Sequence, residues 1–375
     1  MAVENFELRE EVKRGKENYF LHTTFQPDDE LIRTRFYKQG QCFNTEIRAL
    51  DPGLETGDEA VGAAKSFHNK NRDDFILLLD TREKIRSSER SSEHIKMARA
   101  LYLKNLFMEA IEEAEAAIEK GEQGAEPYKI IADARFGLDQ LDDAMKAVDR
   151  GLKLTDGYPD LYNLKGKIYL RRDQCRQAMK SFSRATEINC YYGEPYLNIL
   201  RAYARNSLIK QDYELSRDMK KDFGKYLDKA ASLNPGLNAK TVRRIKQLAG
   251  EDDFEGVLEQ LQAEGLKNGS RDVDNVIISL YITLLRSGTG INEEEIDHYL
   301  GKIEKLINQN PNYPDLFNSL GVLYVAKSKV IMDKAGRAFN QALEINSDYE
   351  KAKRNIRLSD NERQGIFILL KALLD

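Results

Sequence analysis

The middle of this chain repeats itself every 34 residues. Tyr128, Tyr162 and Tyr196 form one aligned column, Ala98, Ala132 and Gly166 a second, and Ala110, Ala144 and Ala178 a third. Ala114, Val148 and Phe182, then Ala117, Gly151 and Ala185, make two more. Small and large residues at fixed offsets over such a period describe a helix–turn–helix unit that buries its apolar face only by stacking on its neighbours. A chain built this way grows by adding repeats, so its 375 residues count repeats more than globular cores.

The clearest copy, YPDLYNLKGKIYLRRDQCRQAMKSFSRATEIN, carries Tyr162, Gly166, Tyr169, Ala178, Phe182 and Ala185. In these positions the chain resembles the tetratricopeptide repeat family over about residues 91 to 350. The resemblance implies a mainly α fold, an α-solenoid of paired helices. Gly166 and Ala178 are expected where the two helices of a repeat cross, because larger side chains there would hold the backbones apart. The chain departs from the family in having no Trp, in placing Leu200 at a close-approach position, and in carrying Glu122, Asp156 and Cys190 where a closing Pro is usual.

The first helices of four repeats are expected to begin near His94, Tyr128, Tyr162 and Tyr196, with Ser92 as a cap and Pro127, Pro159 and Pro195 in first turns. After Tyr203 an insertion precedes Leu227, Ala230 and Pro235, which longer helices would absorb. Four sections follow: a small α+β unit over 1–90, four repeats over 91–236, degenerate helical repeats over 237–312, and a final repeat with capping helices over 313–375. In the first, NYFLHTTF, ELIRTRFY and CFNTEIRAL read as a three-stranded antiparallel β meander over about 17–50, split by QPDD and KQGQ. Val61, Ala64, Phe67, Phe75, Leu78 and Leu79 mark a covering helix.

In the degenerate section, VRRIKQLAG with FEGVLEQLQ, and VIISLYITLL with IDHYLGKIEKLI, read as helix pairs, the second split by SGTGINEEE. A clean copy returns at YPDLFNSLGVLY, with Phe317, Leu320, Gly321 and Tyr324, and continues through Ala335, Phe339 and Ala342 after an inner turn two residues longer. One helix is then expected from Asp348 and another from Ser359, capped by Ser359 with Glu362. Ile366, Phe367, Leu370 and Leu374 make that last helix apolar, so it must fold back or dock onto a second copy or another protein.

Charged residues are 32% of the chain and the formal net charge is -4, which disfavours wholesale attraction to nucleic acid or anionic membrane. No stretch is apolar and long enough to cross a bilayer and the start lacks a secretory core, so a cytoplasmic location is expected. Cys42, Cys175 and Cys190 are too scattered for a disulfide framework or a zinc site. His22, His68, His94 and His298 form no ligand spacing, and neither a phosphate-binding glycine loop nor a nucleophile elbow occurs. No cofactor and no catalytic residue is expected. His94 reads as packing, and a His22–Cys42 thiol–imidazole pair on neighbouring strands is the one weak catalytic candidate.

In the family, first helices line a concave groove, and the resemblance places Ile95, Lys129, Asn163 and Leu197, then Arg99, Asp133, Lys167 and Arg201, on its wall. Leu103, Gly137, Arg171 and Arg205 follow one turn later. Asn163, Lys167, Arg171, Arg201 and Arg205, with Lys129 and Arg99, are therefore the candidate partner-binding residues. Such a wall suits an acidic segment or a terminal carboxylate, unless its cations pair with acids such as Asp160 and Glu194. The two-carboxylate clamp for chaperone tails is absent, because Ile95, Arg99, Ile130, Asp160 and Leu164 stand at its positions. The reading is a non-catalytic scaffold with a protein or peptide partner. Self-assembly through the apolar C-terminal helix is the alternative, and an enzyme site in the β unit a distant third.

Overall fold

The computed structural model describes residues 6–15, 17–26, 31–50, 57–234, 237–266, 292–309 and 314–374, together with seven helical residues between 273 and 283. The turn at QPDD, Pro235, most of SGTGINEEE, and the side chains of Met219, Phe367 and Leu374 lie outside the described residues. Two compact units are present, residues 1–120 and 121–375.

The first unit opens with a four-stranded antiparallel sheet in sequence order: β1 (Phe6–Arg14), β2 (Glu17–Gln26), β3 (Leu31–Lys38) and β4 (Gln41–Ala49). Sequence reading missed β1 because FELREEVKR alternates with charged residues on both faces and offers few β-branched side chains. Alternation works as strand geometry demands. Tyr19, Leu21 and Phe25 of β2 and Ile32 and Phe36 of β3 are buried, while Phe20 on the opposite face is exposed. Helix α1 (Gly57–Ile85) supplies the cover, with Ala60, Ala64, Phe75 and Leu78 buried and the Phe75 ring edge-on to Tyr19 and Phe36 at 5.1 and 5.3 Å.

This unit also contains the first repeat, α2 (Ser91–Leu103) and α3 (Phe107–Glu119). The expected boundary at residue 90 falls inside this unit, and ion pairs cross it. Arg82 of α1 reaches Glu113 at 2.8 Å and Glu112 at 2.5 Å on α3, and Lys38 of β3 reaches Glu109 at 2.6 Å. Ser92 is not the cap; Arg90 holds the N-cap position and makes no side-chain capping bond.

In the second unit three hairpins follow: α4 (Glu126–Gly137) with α5 (Leu141–Leu154), α6 (Pro159–Arg171) with α7 (Cys175–Ile188), and α8 (Gly193–Ile209) with α9 (Tyr213–Leu233). The insertion after Tyr203 is absorbed by the 17 and 21 residues of α8 and α9. Gly166 sits where expected: a Cβ there would lie 2.4 Å from the buried Phe182 ring. Beyond them come α10 (Ala239–Gly250), α11 (Phe254–Leu266), α12 (Glu293–Gln309), α13 (Pro314–Ile345) and α14 (Glu350–Leu374).

The turns within repeats share one device. Asn105, Asp139 and Asp173, again 34 residues apart, adopt left-handed φ of 58°, 58° and 59°. Asn and Asp tolerate that region because a short polar side chain offsets part of the Cβ penalty. Each turn closes with the same pair of bonds, as Asp173 N to Leu170 O at 3.0 Å and Gln174 N to Tyr169 O at 2.9 Å.

The C-terminal section differs from the sequence expectation. Residues 314–345 form one 32-residue helix, not a hairpin, and Phe317 and Tyr324 are about half exposed instead of clasped by a second helix. In the regular repeats the left-handed Asn or Asp stands four residues after the signature position, as Asp173 after Tyr169; here Ser328 holds that place and donates back to Tyr324 O at 2.9 Å within the helix. No break occurs at Ser359 either: it lies buried inside the 25-residue α14, so the capping box does not form. Helix α14 folds back on α13, and Leu370 is buried in a cluster with Leu316, Val322 and Leu323.

Candidate functional site

The face shared by α4, α6 and α8 carries six of the seven candidate residues, while Arg99 lies on α2 in the first unit. Lys129 bonds Asp133 at 3.1 Å, one turn along α4. Lys167 bonds Glu194 at 3.3 Å and lies 5.8 Å from the Phe136 ring. Arg171 reaches Asp139 at 3.3 Å, and Arg205 grips Asp173 through both oxygens at 2.6 and 2.9 Å.

These last two pairs are the same contact one repeat apart. The acid is the left-handed turn residue of one hairpin and the arginine stands on the first helix of the next, 32 residues on. The Arg205 hydrogen bond holds the Asp173 carboxyl below the usual carboxylate range. Side chains in both pairs are 42% exposed or more, and such pairs contribute only about 0–1 kcal/mol. A second ladder runs beside it. The Tyr158 hydroxyl donates to Glu126, and the Tyr192 hydroxyl, one repeat later, lies 3.2 Å from Asp160 and 3.2 Å from Glu194.

Asn163 is 3% exposed, so its amide is spent inside the protein. It donates to the Tyr192 hydroxyl at 3.0 Å and accepts from Asn198 at 2.9 Å. Asn198 in turn accepts from Arg201 at 2.7 Å, and Arg201 donates to the Leu261 carbonyl of α11 at 2.6 Å. Helix α11 packs on α8, with Val257 and Leu261 in the cluster that holds Leu197 and Leu200. Arg201 is thereby covered, and burial pulls its pKa below the ordinary arginine value.

One phenolic proton cannot serve two carboxylates at once, and the two acids beside Tyr192 respond in opposite directions. Burial, with Asp133 and Glu194 nearby, pushes the Asp160 carboxyl up against the pull of Lys129. Burial also acts on Glu194, but Lys167, Arg201 and Asn163 outweigh it and hold that carboxyl below its usual value. The face is thus a mixed field of paired charges.

The N-terminal unit gives the thiol–imidazole pair no support. His22 stands opposite Arg35 in the sheet and its Nε2 lies 2.6 Å from Glu7, while Cys42 stands opposite Tyr37 and bonds the Asn44 carbonyl at 3.4 Å. His94 is buried but not merely packed, since its Nδ1 lies 2.8 Å from Glu113. His68 bridges Thr23 at 2.8 Å and Glu10 at 3.1 Å, yet Thr23 is fully buried and no substrate reaches it. Among the described residues no group of His, Cys, Asp or Glu is arranged to hold a metal ion, and no helix is long and apolar enough to cross a membrane.

Sequence reasoning named Glu194, which pairs with Lys167, but not Asp139 or Asp173, which pair with Arg171 and Arg205. The 34-residue columns of Asp139 with Asp173 and of Tyr158 with Tyr192 were legible, and reading them beside Arg171 and Arg205 would have shown the ladders. No family model matches the chain, and no curated protein matches it. Solved structures do. MamA is 19% identical, covering 48% of this chain and 95% of its own, with a TM-score of 0.36. YrrB, described as a TPR protein with an unusual peptide-binding site, is 17% identical over 54% and 96%, with a TM-score of 0.35. TTC0263 of Thermus thermophilus, a thermophilic TPR protein, is 15% identical over 62% and 98%, with a TM-score of 0.35. The 34-residue helical hairpins, with Gly166 against Phe182 at a crossing and Asn or Asp at the inner turns, have a tetratricopeptide-like helical repeat fold.

Proposed function

We propose that this chain is a protein-interaction scaffold that holds an extended, acid-bearing segment of a partner protein along the face of α4, α6 and α8. The observation that carries the reading is the exposure of the Arg171–Asp139 and Arg205–Asp173 pairs on successive first helices. A partner carboxylate can replace Asp139 or Asp173 on its arginine at little net cost, because an exposed pair is weakly held. The arginine fork donates to both oxygens of the incoming group. Asn163 and Arg201 then act as supports rather than contacts, keeping α6, α8 and α11 in register. The reading places the protein in the cytoplasm, performing no catalysis, with a protein or peptide and not nucleic acid or a membrane as partner.

The test is fluorescence anisotropy with glutamate-rich and lysine-rich peptides of matched length. The glutamate-rich peptide should bind, weaken as salt rises, and lose about tenfold or more in affinity on Arg171→Glu with Arg205→Glu. Equal binding by the variant at low salt would sink the proposal.

A further inference from the structure

Helix α13 presents a stripe whose large side chains the described residues leave about half exposed or more, the Tyr324 hydroxyl donating to Glu304 at 3.4 Å. Phe317, Tyr324, Ile331, Ala338 and Ile345 recur every seven residues along this 32-residue helix, and the four large ones are 49%, 50%, 51% and 89% exposed. Between them, also every seven residues, stand Gly321, Ser328, Ala335 and Ala342. The core lies on the other side, where Leu316, Val322, Leu323 and Ala326 are buried. The cause is visible in the sequence. In the regular repeat the two half-signatures are 16 residues apart (Tyr162 to Ala178), and here they are 18 apart (Phe317 to Ala335). Eighteen residues are five full turns, so an unbroken helix brings both halves onto one face.

We propose that α13 pairs antiparallel with α13 of a second copy of this chain through that stripe. Four heptads alternating large and small side chains form a helix-pairing seam, and this one is complementary to its own reverse. With the twofold axis near Asp333, Gly321 faces Ile345 of the second copy, Ala335 faces Ile331, and Ala342 faces Tyr324. Three of the four large side chains, Tyr324, Ile331 and Ile345, enter a space that a small one leaves, while Phe317 lies at the end of the seam beyond the second copy's helix; a Cβ at Gly321 meets nothing within 4 Å among the described residues. Lys327 and Lys334 flank the stripe but are held by Asp297 and Glu293 of α12, so their charges are compensated across the axis. The stripe is about 42 Å long and about 10 Å wide, or roughly 800 Å² over two copies. That lies below the roughly 1,200 Å² at which stable interfaces begin and in the range of weak, transient ones, so the pair forms reversibly and only at high protein concentration. This pairing is independent of the peptide-binding reading and uses another helix.

Sedimentation equilibrium of the full chain across a concentration range reads it directly. The mass should rise toward that of a dimer. Ile331→Glu or Tyr324→Glu should weaken the dimer about tenfold or more while leaving the circular dichroism spectrum and melting curve unchanged, because both side chains are half exposed. Ile368→Glu, on the exposed face of α14, should leave the dimer intact. A chain that stays monomeric throughout overturns the proposal, as does a dimer that survives Ile331→Glu or one lost instead through Ile368→Glu. A spin label at Ile345→Cys, with Cys42 and Cys190 replaced by serine, reads the direction. Labels about 35–40 Å apart fit the antiparallel pair, and labels within about 15 Å overturn it.

Discussion

Gly166 and Gly321 occupy the same signature position in two copies of the repeat, and replacing each by alanine should move stability in opposite directions. At Gly166 a Cβ would lie 2.4, 2.5 and 2.8 Å from three carbons of the Phe182 ring. Carbon contacts settle at about 3.5–4.0 Å, so the ring or the helix must retreat by about 1 Å. Phe182 is fully buried among Leu197, Ile199 and Leu200 and has no solvent to move into. Overpacking of this kind costs about 1–3 kcal/mol, against which alanine returns about 1 kcal/mol of helix propensity. Gly166→Ala should therefore be destabilising by up to about 2 kcal/mol. At Gly321 nothing lies within 4 Å, and Gly321→Ala should stabilise by about 0.5–1 kcal/mol. Urea unfolding followed by far-ultraviolet circular dichroism measures both, with hydrogen exchange over α6 and α7 to localise the first. Combining Gly166→Ala with Phe182→Leu should recover part of the loss, since the ring that collides is gone. A Gly166→Ala protein as stable as the parent would refute the close-crossing argument.

Replacing Asn163 by leucine strands Asn198 and the Tyr192 hydroxyl, and should cost about 1–3 kcal/mol in urea unfolding, whereas adding Asn198→Leu should not double the loss; additive losses would break the network reading. The raised Asp160 carboxyl gives a pH sign: its proton is held more tightly folded than unfolded, so its contribution is present below the unfolded value and lost as pH rises through the folded one. Asp160→Asn should accordingly gain on the parent in melting temperature at neutral pH and lose that advantage in acid, and a gain that is the same at both would refute it. The Cys175 thiol is buried and pushed up to about 11, so iodoacetamide should label exposed Cys42 and Cys190 quickly and Cys175 only after unfolding, as mass spectrometry of the native chain would show.

What the sequence by itself determined is the repeat. The columns of Tyr162, Gly166, Ala178 and Phe182 specify a local event, two helices crossing with one small residue under one ring, and local spacing suffices to read it. The turn columns Asn105, Asp139 and Asp173 were as legible, since a left-handed residue is a backbone matter. Tertiary structure decided the rest. Signature residues at Phe317, Gly321 and Tyr324 promised another hairpin, but with Ser328 at the offset where the regular repeats carry Asn or Asp helix propagation continued, and packing of α14 on α13 gave that long helix its partner. The basic wall read from spacing was equally incomplete. Whether Arg201 faces solvent depends on α11, 60 residues away in sequence, laying its Leu261 carbonyl over it. A cation's position on a helix face follows from 3.6 residues per turn, whereas its partner follows from which distant segment arrives to neutralise it, and only the folded chain brings that segment there.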